Sequence, residues 1–202
     1  MATGREIKEV YDMMKRIYEE TSKLVTVVND LLEKEGYIAV GDGSVMWGRS
    51  SHYRSPNYWL PYFMQRVFVK EKDSKKGIGV NITFDSSMDG LENNVPFLTC
   101  GYLEFQKDKV VKGNGLYMAG WTEHPEAKKQ MDGNLCTTNY NDGVMTKTYF
   151  LPLDLLTNQV KVNQYIIQPL VHLYKGEYSK ASSVVSDVAI GIEDIIGVRK
   201  PF

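Results

Sequence analysis

The sequence predicts an α+β fold: a long N-terminal helix, an antiparallel meander sheet of about six to eight strands, and two C-terminal helices. Three observations predict it. Apolar residues recur at helical spacing from Ile7 to Leu32, strand-like runs parted by Gly- and Asn-rich turns fill the middle, and helical spacing returns beyond Thr157.

The first helix is expected over 1–36. Ile7, Met14, Thr21 and Val28 recur every seven residues, as do Val10, Ile17, Leu24 and Leu31. A third row of Tyr11, Tyr18, Val25 and Leu32 makes the stripe wider than a bare coiled-coil seam. Thr3-Gly4-Arg5-Glu6 reads as a capping box and Gly36 as a stop. Such a helix spans roughly 50 Å at 1.5 Å per residue. That is long for a chain of 202 residues, so it is expected to lie along a sheet, a second copy of the chain, or both. Homo-oligomerisation through this helix is the expected partnership.

The sheet is expected over 37–151. Tyr37 to Trp47 reads as two short strands around Gly41-Asp42-Gly43, followed by an irregular stretch to Pro61. Tyr62 to Glu71 and Ile78 to Phe84 form the clearest hairpin, with Ile78, Val80, Ile82 and Phe84 alternating with Gly79, Asn81 and Thr83. Phe97 to Gln106 and Leu116 to Thr122 read as further strands, and Pro125 to Met131 as a short helix closed by Gly133. Leu135 to Tyr140 and Val144 to Leu151 flank the hairpin signal Asn141-Asp142-Gly143. A meander of this kind ordinarily buries one face and leaves the other wet.

Helices are expected over 157–197. Thr157 or Asn158 would cap the first, which Pro169 kinks or divides, and Ser179 would cap the second, carrying Ala181, Val184, Val185, Val188, Ile192, Ile195 and Ile196. No repeat or linker interrupts the chain, so 1–202 reads as a single domain.

Composition narrows the function. Hydrophobic residues make up 43%, charged residues 24%, and the formal charge is −1. Nothing there favours wholesale attraction to nucleic acid or anionic lipid. No apolar run approaches the roughly 18 residues of a membrane span, and the start of the chain lacks a signal-peptide core. Cys100 and Cys136 are the two cysteines and read as reduced, buried thiols. Together these features point to a cytoplasmic protein with no membrane partner.

The densest group of unusual residues follows Val45. Positions 44–68 hold seven of the 23 aromatic residues, where an even spread gives about three. Trp47, Arg49, His52, Arg54, Tyr58 and Trp59 interleave ring faces with guanidinium forks, the equipment for a small planar or anionic ligand. The plainer reading is a structured loop whose rings plug the end of the sheet.

A rival constellation is Asp85 and Asp89 after one strand with Glu104 on the next, a possible divalent-metal site for a hydrolase or nuclease. The Glu104-Phe105-Gln106-Lys107 order sets the lysine one place late, on the opposite face of a strand. His124, in Trp121-Thr122-Glu123-His124-Pro125, is the alternative acid or base, and His172 reads as structural. No nucleophile elbow, phosphate-binding loop or dinucleotide fingerprint is present, and the sequence leaves any cofactor unknown. The reading favoured is a non-catalytic ligand- or protein-binding module, a dimeric sensor, regulator or assembly subunit; the alternative is the metal-dependent hydrolase.

Overall fold

The structure is a computed structural model describing residues 3–41, 45–47, 60–72, 74–84, 95–106, 110–111 and 128–191. Helix α1 (Gly4–Lys34) leads into an eight-stranded antiparallel sheet. Its strands are β1 (Ile38–Ala39), β2 (Met46–Trp47), β3 (Phe63–Val69), β4 (Lys76–Thr83), β5 (Phe97–Phe105), β6 (Lys128–Asp132), β7 (Leu135–Asn139) and β8 (Val144–Pro152). The order is β1-β3-β4-β5-β8-β7-β6, with β2 also on β3. This is the α+β arrangement the sequence predicts. Among the described residues no helix is long and apolar enough to cross a membrane.

The β3–β4 and β7–β8 hairpins form as expected, pairing Phe63 with Thr83 through Phe68 with Ile78, and Cys136 with Thr148 through Asn139 with Met145. Gly143, at φ 84°, takes the left-handed position that the second turn requires.

Two local expectations are corrected. β1 and β2 lie end to end along β3: Ile38 pairs with Val69 and Met46 with Met64. Val40 N–H donates to the Val67 carbonyl and Gln65 N–H to the Val45 carbonyl, so one interrupted strand edges the sheet.

The end of the supposed helix Pro125 to Met131 is strand β6, paired with β7 from Lys128–Asn139 to Asp132–Leu135. Gly133, at φ 58°, turns this hairpin and does not follow a helix end. All five β6 residues are exposed, and charged edge strands of this kind resist further pairing. Leu116 to Thr122 lies outside the described residues.

One face of the sheet carries Phe68, Ile78, Val80, Leu98, Tyr149 and Leu151 into the main core, where Val28 and Leu32 of α1 and the C-terminal helices meet it. The other face is buried too, against the expectation of a wet surface. It gathers Val67, Val69, Leu103, Phe105 and Val144 with Val111 in a second cluster. Beside that cluster lie buried Gln65, Asn81, Thr83 and Thr99, matched across β3, β4 and β5. Small hydroxyls and amides sit where alternation alone places solvent.

Helix α1 starts on the predicted capping box. Thr3 N–H donates to Glu6 Oε2 (2.6 Å) and Glu6 N–H donates to Thr3 Oγ1 (3.3 Å). At the far end Gly36 N–H donates to the Glu33 carbonyl and Tyr37 N–H to the Leu32 carbonyl, both at 2.9 Å, with Gly36 at φ 78°. That double bond pattern is a Schellman ending, and buried Leu32 and Tyr37 share the main core beside it. Lys70 Nζ donates to the Glu35 carbonyl, fastening the end of β3 to the end of the helix.

The helical rod from Gln159 to Tyr174 comprises α2 (Gln159–Val162), a π-helical turn (Asn163–Ile167) and α3 (Gln168–Tyr174). Asn158 is its cap, accepting from Lys161 N–H at 3.0 Å. Gln168 N–H reaches back to the Asn163 carbonyl, one residue beyond α register. Pro169 has no N–H for the Tyr165 carbonyl, and Tyr149 Oη, rising from the sheet, donates to that carbonyl instead (2.9 Å). The expected division at Pro169 is thus a change of register inside an unbroken rod.

Helix α4 (Tyr178–Val185) begins after Glu177, with Ser179 inside its first turn and no side-chain cap. It stops at Val185, short of the expected 197. Ile190 N–H bonds the Phe150 carbonyl instead of continuing the spiral.

Candidate functional site

Of the expected ligand residues, Trp47 is in β2, opposite Phe63. Arg49, His52, Arg54, Tyr58 and Trp59 lie outside the described residues, as do Asp85, Asp89 and His124. Glu104 of the carboxylate constellation is near the end of β5. Tyr102 Oη donates to its Oε2 at 2.7 Å, and Lys76 Nζ stands 3.6 Å from its Oε1. Burial, followed by this carboxylate, pushes the Tyr102 phenol well above its ordinary range. Among the described residues no three His, Cys, Asp or Glu side chains gather as metal ligands.

Cys100 and Cys136 are free and buried. Burial pushes the Cys100 thiol far up, which keeps it protonated and unreactive. His172 Nδ1 meets Glu177 Oε2 at 2.6 Å, bracing the Gly176 turn in which Gly176 N–H bonds the Leu173 carbonyl and Glu177 N–H the His172 carbonyl.

Helix α1 makes the more informative geometry. Its apolar stripe is continuous in sequence, but its burial is not. Thr21, Val28 and Leu32 are buried, while Ile7, Val10, Tyr11, Met13 and Ile17 are 44–64% exposed. The sheet and C-terminal helices cover the second half of the stripe and leave the first half open.

A cleft of about 680 Å³ runs between one flank of α1 and the edge of the sheet. The helix contributes Tyr11, Lys15, Tyr18, Ser22, Val25 and Asn29, spaced alternately by four and three, as one side of a helix requires. The sheet contributes Val45, Met64 and Arg66. Arg66 shares the core-facing side of β3 with Met64 and Phe68, opposite Val80 of β4. Its Nη1 is buried and makes no hydrogen bond among the described residues. A second cleft, about 470 Å³, lies on the other flank between Met13, Ile17 and Thr21 and the side chains of Phe84, Pro96 and Leu153.

Sequence reasoning passed over Arg66. The signal was there: in Phe63-Met64-Gln65-Arg66-Val67-Phe68-Val69 a charge falls in register with the two core-facing residues Met64 and Phe68. Val45, in the cleft wall, is two residues before Trp47 in the sequence. No family model, curated protein or solved structure matches this chain.

Proposed function

We propose that the chain is a non-catalytic binding module that works as a dimer, with the open half of the α1 stripe as the subunit interface. The observation that carries this reading is the exposure of Ile7, Val10, Tyr11, Met13 and Ile17 on a well-capped helix. Exposed apolar rows of that kind mark association surfaces. A second copy is the occupant that the charges favour. Arg5–Glu9, Lys8–Asp12 and Lys15–Glu19 neutralise one another along the same helix, so two copies meet without net repulsion.

Burying the exposed half of each such side chain contributes roughly 1 kcal/mol, half of the full-burial value. Ten of them across a two-fold interface contribute on the order of 10 kcal/mol, set against association costs of similar size. The dimer is therefore concentration-dependent. Light-scattering mass over about a hundredfold dilution should fall from two chains to one, and Val10→Glu with Ile17→Glu should give one chain throughout while circular dichroism stays unchanged. A wild-type protein that remains a monomer at its highest concentration refutes the dimer.

A further inference from the structure

We infer that the cleft between α1 and β3 binds a long-chain alkyl carboxylate, with its acid group on Arg66 and its chain laid along the flank of α1. The inference rests on the binding-module reading and adds the ligand to it. Its basis is a charge without an answer. Lys15 already stands 3.8 Å from Glu19, so among the described residues of the cleft Arg66 is the cation without a counter-charge, and its buried Nη1 makes no hydrogen bond to any of them. Leaving a guanidinium N–H dry and unbonded is costly. A carboxylate supplies acceptors that match its forked donors, and a single negative charge balances it, where a phosphate dianion would overshoot.

Shape supplies the alkyl chain. Lys70 and Glu35 join the ends of β3 and α1. Arg66 lies about 13 Å back along the strand at 3.3 Å per residue, which sets it beside the last helix residues of the cleft, Thr26 and Asn29. From Thr26 to Tyr11 the flank runs about 22 Å at 1.5 Å per residue. That stretch is walled by Met64, Val25, Tyr18 and Met14. The exposed Lys15, Glu19 and Ser22 line the same stretch, but Lys15 and Glu19 answer each other. An alkyl chain from Arg66 would therefore run against the tyrosines, Val25 and the methionines, which can adjust to a flexible chain. The volume, about 680 Å³, suits a ligand of that size.

Isothermal titration with dodecanoate and with its uncharged counterpart dodecanol tests this. Dodecanoate should bind at least about tenfold more tightly, the worth of a charge-assisted bond. Arg66→Met should abolish that preference and leave dodecanol affinity unchanged. Ser22→Trp, at an exposed position on the cleft rim, should weaken both probes at least about tenfold by filling the groove. Circular dichroism and light-scattering mass accompany each variant. Equal affinity for the two probes, a preference that survives Arg66→Met, or no binding of either by folded wild type overturns the inference, as does indifference to Ser22→Trp. A monomer that still prefers dodecanoate refutes the dimer and leaves the ligand site standing.

Discussion

The π-helical turn gives the sharpest test of the packing described. Tyr149 has no exposed surface, and its hydroxyl is 2.9 Å from the Tyr165 carbonyl and 3.4 Å from that of Ile166. Tyr149→Phe keeps the ring in the core and removes the donor from a carbonyl that Pro169 cannot serve. Leaving a buried acceptor unpaired costs about 1–3 kcal/mol. Taking about 2 kcal/mol, a chain of this length should lose about 4–8 °C in Tm. Calorimetry measures it directly. In a Pro169→Ala background the new N–H can bond the Tyr165 carbonyl, so the same Tyr149→Phe change should cost about 1 kcal/mol less. A Tm shift below about 1 °C for the single variant, or an equal cost in both backgrounds, refutes the claim that this hydroxyl sustains the turn.

Two further outcomes follow from single positions. A Cβ at Gly101 would stand 2.6 Å from Thr148 Cγ2 and 2.8 Å from the Lys147 carbonyl oxygen. Gly101→Ala should therefore cost about 2–3 kcal/mol by chemical denaturation, while Gly4→Ala, with no atom near its Cβ, should cost nothing; equal effects would refute the close β5–β8 approach. Lys180 first, then His172, hold the Glu177 carboxyl below its ordinary value of 4.5. A lowered carboxyl pKa stabilises the fold above that value, and the contribution disappears as pH falls through it to the folded-state value. The gap in urea midpoint between wild type and Glu177→Gln should thus close in acid, and a gap that is constant from neutral pH downwards would contradict the pairing.

Much of the architecture was legible because its signals are local. The capping box needs Thr3 and Glu6 alone, the Schellman ending needs Gly36, and the β7–β8 turn needs Gly143. Strand β6 was not legible. Lys128-Lys129-Gln130-Met131-Asp132 is exposed throughout, so no apolar alternation marks it, and its helix-friendly letters yield to pairing with β7. Burial of the second face was hidden for the converse reason. Asn81, Thr83 and Thr99 are polar letters at period two, and their exposure depends on what covers the sheet, which periodicity along one strand does not encode.

The same limit explains the candidate site. Seven-residue spacing identifies which side of α1 seeks burial and treats Val10 and Val28 alike, yet one is 58% exposed and the other 1%. The difference lies in how far the sheet and C-terminal helices extend beneath the rod, a tertiary fact. Within the open half, helical geometry then separates two roles. Val10 and Ile17 are rotated about 100° from Tyr11 and Tyr18, one residue's turn. The second pair walls the cleft that ends at Arg66 and the first pair does not, with Tyr11, 64% exposed, at the border of the two surfaces. Val10→Glu and Ile17→Glu therefore act on subunit contact, and Arg66→Met and Ser22→Trp act on ligand contact. One stripe carries two surfaces, and Tyr11, Tyr18 and Val25 of the third row, which makes it wider than a coiled-coil seam, face the cleft.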